Sequence, residues 1–189
     1  MASPINSTTP YPISFRPATG DDAENVVALR SDPTTRLNLK DPRIFSVAQC
    51  ANWLNNLGAG SERYVIEVEE LTYGFHPQYI SKFIGLFRVD NIDTSNHNCC
   101  VGLDLLKEYR GRGLGFQTYK LMLDEFLLHR NMDNVWLEVL ETNETGIALY
   151  RKLGFKQDGV LRNRVFRNGT YINCLVMSLL RTEWLEKKR

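Results

Sequence analysis

Leu103-Asp-Leu-Leu-Lys-Glu-Tyr-Arg110-Gly111-Arg112-Gly113-Leu114-Gly115-Phe116 runs from an apolar, strand-like segment through a basic, glycine-rich turn straight into a helical pattern. Such a junction attracts anions. A helix start carries unbonded N–H groups and about half a positive charge, and glycines let the backbone wrap a phosphate without Cβ atoms in the way. Arg110 and Arg112 add charge at the same place. No Gly-Lys-Ser/Thr follows, so the turn is not a Walker A loop, and Phe116 stands where a dinucleotide-binding GxGxxG would need its last glycine. Both nucleotide readings lose weight accordingly. Taken alone, the turn could equally be a tight surface loop with two solvated arginines.

Outward from the turn, Cys99 to Leu106 reads as the strand that feeds it, and Gly113 to Arg130 as a helix with Phe116, Tyr119, Leu123, Phe126 and Leu127 on one stripe. Upstream, Ile13 to Arg16 alternates like a short strand. Thr19 with Asp22, and Ser46 with Gln49, carry capping-box spacing and open two helices, through Arg30 and up to Gly58. Tyr64 to Val68 and Phe83 to Val89 are strands, joined by a long loop from Glu69 to Ser81. Downstream come a strand at Val135 to Val139, a helix from the Asn143 cap to Leu153 with Gly154 just past its end, and two strands around the Asn168-Gly169 turn. The order predicts seven strands and about four helices.

The 189 residues are 43% hydrophobic, enough for one compact domain over 13–189 after a proline-rich lead, 1–12, expected to be flexible. The 23 basic and 22 acidic residues leave a formal charge of +1, so no general field draws the chain to nucleic acid or an anionic membrane. No apolar run approaches the ~20 residues that span a bilayer, and the start has no signal-peptide pattern, so a cytoplasmic protein is expected. Cys50, Cys99, Cys100 and Cys174 lack CxxC spacing, and His76, His97 and His129 lack partners at ligand spacing. No metal is inferred. The Glu186–Arg189 tail is too short a charge run for a nucleic-acid patch.

A second stretch gives the first its context. Arg110-x-x-Gly113-x-Gly115 is similar to the pyrophosphate loop of the GNAT superfamily of acetyl-CoA-dependent N-acetyltransferases, and Asn143 through Phe155 resembles that family's N-x-x-A-x-x-L-Y-x-x-L-G-F signature. Gly146 departs from the usual alanine but removes no chemical group. Leu29 to Pro33, Trp53-Leu54 and the ending from Asn168 to Trp184 look like the RimJ/RimL branch, whereas Trp136 to Val139 resembles the RimI-type N-terminal acetyltransferases. The resemblance implies an α/β GNAT fold with a central mixed, mostly antiparallel sheet. It further implies that acetyl-CoA lies in a cleft between the Cys99–Leu106 and Val135–Val139 strands. Leu103, Asp104 and Leu105 would pair with its pantetheine, Arg110, Gly111, Arg112, Gly113, Leu114 and Gly115 would hold its pyrophosphate, and Asn143 and Tyr150 would complete the cofactor side.

The chemistry of amine acetylation asks for two further groups. An alkylamine, with a reference pKa of about 10.4, must lose a proton before it attacks a thioester, and the departing thiolate gains from a nearby acid. Tyr150 is the candidate acid, against an alternative role as an aromatic packed on the sheet. Glu138 is the candidate base, against a carboxylate paired with an arginine. Asp104, interrupting an apolar strand, is the competing acid group, either pointing into the cleft or acting as an edge charge. The acceptor is expected to be a small amine, an amino sugar or a polyamine, with a protein N-terminus as the alternative and a non-catalytic acyl-CoA-binding module or an RNA-binding role as more distant ones. The acceptor pocket is expected from the first two helices, the Glu69–Ser81 loop and the closing hairpin. A homodimer is one allowed assembly.

Overall fold

A computed structural model describes residues 12–188 except 73–75 and 77. The lead, 1–12, therefore falls almost wholly outside the described residues. Seven strands form one sheet in the order β1-β2-β3-β4-β5-β7-β6: β1 (Ile13–Pro17), β2 (Glu62–Leu71), β3 (Tyr79–Asp93), β4 (Asn98–Leu105), β5 (Asn134–Leu140), β6 (Lys156–Arg167) and β7 (Thr170–Leu180). Every neighbouring pair is antiparallel except β4 with β5.

Alternation along the strands divides the core between two faces. Leu86 packs with Ala23, Val26 and Leu29 of α1 (Ala23–Ser31) and with Cys50 and Leu54 of α3 (Val47–Asn55). Its neighbour Phe87 belongs to the larger cluster that holds Tyr119, Met122 and Leu123 of α4 (Leu114–Leu123), Phe126 and Leu127 of the π-helical turn that continues it, and Ile147 and Leu153 of α5 (Glu144–Leu153). Both expected capping boxes are present. The Asp22 carboxylate accepts from the Thr19 N–H at 2.8 Å, and Ser46 and Gln49 exchange side-chain-to-backbone bonds at 3.2 and 2.9 Å. Asn168 and Gly169 both take positive φ, 48° and 79°, as the β6–β7 hairpin turn requires.

Two expectations change. The loop between β2 and β3 is shorter than 69–81, because the strands stay paired out to Leu71 and Tyr79. Six helices replace about four. The first addition is α2 (Pro33–Asn38), whose start signals sit in the sequence: Asp32 accepts from the Thr35 N–H at 2.7 Å and Pro33 occupies the first turn. The second is α6 (Arg181–Lys187), docked by the buried Trp184, whose Nε1 donates to Asp124 at 2.8 Å. Both are too short for their periodicity to stand out.

A splayed sheet and the candidate functional site

The parallel pairing of β4 with β5 covers only three positions, Asn98 with Asn134, Cys99 with Val135 and Cys100 with Trp136. Beyond Cys100 the two strands diverge. β4 stays paired on its other edge with β3 as far as Leu105, so from Val101 to Asp104 its β5-facing backbone edge has no strand partner. An unpaired ladder edge is a template for an extended ligand carrying amide groups. The gap opens into a cavity of about 950 Å³ whose walls include Leu103, Asp104, Leu105, Glu138, Asn143 and Tyr150.

β4 ends in the glycine-rich turn at the rim of this cavity. Gly111 and Gly113 sit at φ 73° and 79°, and a Cβ added at either would meet nothing within 4 Å, so backbone conformation rather than crowding demands glycine there. Gly113 caps α4, and Gln117 is the first amide to bond back, to the Gly113 carbonyl at 3.1 Å. The N–H groups at Leu114, Gly115 and Phe116 thus lie in the first turn, where a helix offers free donors. Gly115 is different: its Cβ would make ordinary contact with Leu149 at 3.5 Å. Asn143 begins α5 by accepting from the Gly146 N–H at 2.9 Å, and Gly154 ends it at φ 107°.

The two arginines of the turn part company. Arg112 lies over the Tyr109 ring, 5.8 Å from its centroid, and makes no ion pair among the described residues. Arg110 turns inward instead. Its guanidinium donates to the Leu105 carbonyl at 2.8 Å, to Thr34 Oγ1 at 2.7 Å and to Thr35 Oγ1 at 2.5 Å, with Asp32 at 3.5 Å. This clasp fastens the segment 32–40 to the β4 arm. At its other end the same segment is fastened to the opposite arm: Arg167 donates to the carbonyls of Leu39 and Lys40, and Lys40 Nζ sits 3.0 Å from Glu138 Oε2. Residues 32–40 thus form a strap across the splay, and Thr34, Thr35, Leu37, Asn38 and Lys40 line the cavity. Of the Glu69–Ser81 loop expected in the acceptor pocket, residues 73–75 and 77 lie outside the described residues, and its described residues do not line this cavity.

Tyr150 lies on α5 in the cavity wall, packed edge-on against Tyr119 at 5.4 Å and Phe155 at 5.8 Å. The Tyr119 hydroxyl donates to the Tyr150 oxygen at 3.5 Å, a long contact that leaves the Tyr150 hydrogen without a protein acceptor among the described bonds. Burial pushes the Tyr150 pKa up, and that of Tyr119 further. A phenol held protonated in this way acts as a hydrogen-bond donor to a developing anion.

All the carboxylates in the wall have cationic partners. Asp104 Oδ2 lies 3.2 Å from Arg88 Nε at an angle that misses hydrogen-bond geometry, and Gly102 makes room for this arginine, since a Cβ there would stand 2.8 Å from its terminal nitrogen. Asp104 thus lines the cavity from an unpaired stretch of β4. Asp90 accepts from Arg63 at 2.7 Å. Glu138, 9% exposed, holds Lys40 at 3.0 Å and Arg164 at 3.5 Å, whereas Lys40 is 43% exposed. The expected arginine partner of Glu138 is present, and a lysine stands closer. Lys40, Arg88, Arg164, Arg167, Thr34 and Thr35 stand in or against this cavity without having been singled out in the sequence, where Asp32-Pro33 figured only in a family resemblance. Only the Asp32-Pro33 helix start carried a local signal.

Burial pushes the Cys100 thiol, also in the wall, up to about 11, which makes it a poor nucleophile. No group of His, Cys, Asp and Glu among the described residues is arranged to hold a metal, and no described helix is long and apolar enough to cross a membrane.

Known proteins share this architecture. The chain is 35% identical over 82 residues to a spermidine N(1)-acetyltransferase of Escherichia coli K12, covering 43% of this chain and 44% of that protein. It is 39% identical over 72 residues to the E. coli K12 [ribosomal protein bS18]-alanine N-acetyltransferase, covering 38% and 48%. In both cases the match spans under half the length of the relative. Among solved structures, spermidine N-acetyltransferase from Vibrio cholerae in complex with CoA and spermine superposes with a TM-score of 0.81 at 19% identity, covering 92% of this chain and 98% of that one, a likeness of fold. The acetyltransferase (GNAT) domain model matches residues 13–156, which take in the splayed strands, the glycine turn and the Asn143 helix, and the chain belongs to the GNAT acetyltransferase family.

Proposed function

We propose that this chain moves the acetyl group of acetyl-CoA directly to a primary amine on a small molecule, with a polyamine as the first class to test. The observation that carries the reading is the splay of β4 from β5, which leaves a free backbone edge running into the glycine turn with Tyr150 in the opposite wall. On this reading the gap-facing backbone groups of Leu103 and the N–H of Leu105 pair with the pantetheine arm, while the backbone of Asp104 between them faces β3 and its side chain stands in the wall. Gly111, Gly113, Leu114 and Gly115 present backbone donors to the pyrophosphate, with Arg112 as the free cation. The side chain of Arg110 is spent on the strap, so its own share in anion binding is through the backbone. Asn143 supports the cleft as the cap of α5.

Acetyl-CoA supplies the activated thioester, and the chain's residues do the rest. Glu138 receives the proton of the acceptor ammonium, and the Tyr150 hydroxyl steadies the leaving thiolate. Asp104 is the weaker candidate for base, because its partner Arg88 is the more buried cation, packed into the space that Gly102 leaves, whereas the half-exposed Lys40 has more room to leave Glu138 to an incoming ammonium. The strap across the cleft favours a compact acceptor over a polypeptide N-terminus. The spermidine acetyltransferases among the relatives support the polyamine class. Residues 13–189 would act as one domain, with a homo-oligomer to be measured by sedimentation.

The test is thiol release. Acetyl-CoA should raise the melting temperature by mass action while ATP and NAD at equal concentration do much less, and spermidine should then drive CoA release. Equal shifts from all three nucleotides would remove the dedicated cofactor site. Acetylation of peptide N-termini in preference to every small amine would replace the acceptor class.

A further inference from the structure

Lys40 puts a primary alkylamine inside the cavity. Its Nζ lies 3.0 Å from Glu138 Oε2, the oxygen that the proposed mechanism uses to receive an acceptor's proton. Chemically it is the same group as the end of a polyamine. The strap prevents its backbone from withdrawing, since Arg110 holds one end of 32–40 and Arg167 donates to the Leu39 and Lys40 carbonyls at the other. Among the described residues, Lys152 is the only other lysine of the cavity wall. It lies over the Phe116 ring at 4.9 Å, with no carboxylate paired to it among the described residues.

We propose that the Lys40 amine occupies the acceptor's place in the free protein and is itself acetylated when acetyl-CoA is bound and no other amine is present. The inference rests on the acetyl-transfer reading above. In the step, Lys40 Nζ–H gives its proton to Glu138 and the freed nitrogen lone pair attacks the thioester carbonyl carbon. The C–S bond breaks as the N–C bond forms, the electron pair leaves with sulfur, and the second proton that the nitrogen sheds on becoming an amide reaches the thiolate by way of the Tyr150 hydroxyl, so that CoA departs as the thiol. No further reactant is needed. Acetylation removes the Lys40 charge and leaves Glu138 with Arg164 at 3.5 Å as its remaining cation. Polyamine binding and Lys40 acetylation compete for one carboxylate.

The experiment is intact-mass and peptide-mapping spectrometry of the full chain after incubation with acetyl-CoA alone. The expected result is one acetyl group per chain, on Lys40, added well ahead of Lys152 and of the surface lysines Lys82 and Lys156, and matched by an equal yield of free thiol. Excess spermidine should slow it. Tyr150→Phe should slow it by at least about tenfold, and so should Glu138→Gln; having both guards against one variant failing to fold. Lys40→Arg should keep the charge pair and take up no acetyl group. Uptake spread evenly over the lysines, or unchanged in Tyr150→Phe, would mark uncatalysed acylation and overturn the inference. Spermidine-driven thiol release with Lys40 left unmodified would overturn it while leaving the acetyl-transfer reading intact. Absence of both CoA binding and thiol release would remove that reading and the inference with it.

Discussion

On the acetyl-transfer reading proposed above, the two arms of the splayed sheet would recognise their ligands by different means, one the cofactor and the other the acceptor. The cofactor arm, from β4 through the turn to α4, presents backbone: a free strand edge, two glycines at positive φ and a helix start, all within residues 98–117. The acceptor arm presents side chains drawn from far apart in the chain. Lys40 reaches Glu138 across 98 residues, Arg110 reaches Thr34 across 76, and Arg167 reaches Leu39 across 128. Backbone recognition suits a ligand that does not vary, because main-chain donors do not depend on side-chain identity. Mutually neutralising side-chain pairs suit a site that must admit one charged acceptor and refuse others, since each entry requires a pair to be exchanged.

Removing a single oxygen from the α5 wall of the cavity should have the largest effect. Tyr150→Phe keeps the ring and its edge contacts but loses the hydroxyl, so kcat should fall roughly 10²-fold or more while acetyl-CoA binding, read by calorimetry, persists. Full activity would mean that the leaving thiolate is helped by another group. Beside it, Glu138→Gln should lose most rate near neutral pH and recover part of it at high pH as the acceptor amine deprotonates in solution. Asp104→Asn with that profile in its place would identify the base as the Arg88-paired carboxylate.

The contrast sharpens within the glycine turn. Gly113→Asp forces a side chain into a φ of 79° and sets a carboxylate where the pyrophosphate is proposed to lie, so the KM for acetyl-CoA should rise at least about tenfold, ~1.4 kcal/mol. Open space around that Cβ predicts that the fold survives. Gly115→Ala, with its ordinary 3.5 Å contact and helical backbone, should change KM little. Equal effects from the two would mean that crowding, not backbone conformation, governs the turn.

The smallest effect tests the strap. Hydrogen bonds from the Thr34 hydroxyl and the Thr35 N–H hold Asp32 down at about 2, with Arg110 assisting. A carboxylate whose pKa is depressed on folding stabilises above its unfolded value, about 3.9, and loses that contribution as pH falls toward 2. The strap should therefore loosen only below about pH 4. Asp32→Asn should flatten this acid limb in a thermal melt followed against pH. It should also raise the acceptor KM more than the KM for acetyl-CoA, and an equal rise in both would mean that the strap serves the cofactor.

The same division governs what could be read in advance. Ser46 with Gln49, Asn143, Gly154 and Asn168-Gly169 are local devices, in which residues within four positions of one another satisfy backbone groups, and each stands where its spacing placed it. The β2 and β3 ends at Leu71 and Tyr79 were missed because cross-strand pairing, not local propensity, extends them. Short helices such as α2 and α6 carry too few turns for a stripe to show. No spacing rule could reveal that Arg110 turns inward to hold Thr34 and Thr35.

By itself the sequence determined the order of the seven strands and the four longer helices, the strand-to-glycine-turn-to-helix junction and the family, because caps, positive-φ turns and free helix-start amides depend on neighbours along the chain. Only the tertiary structure decided how far β4 and β5 part, which cation neutralises which carboxylate, and that residues 32–40 bridge the cleft. Charge pairing acts through space at about 3 Å, and sequence distance carries no record of it.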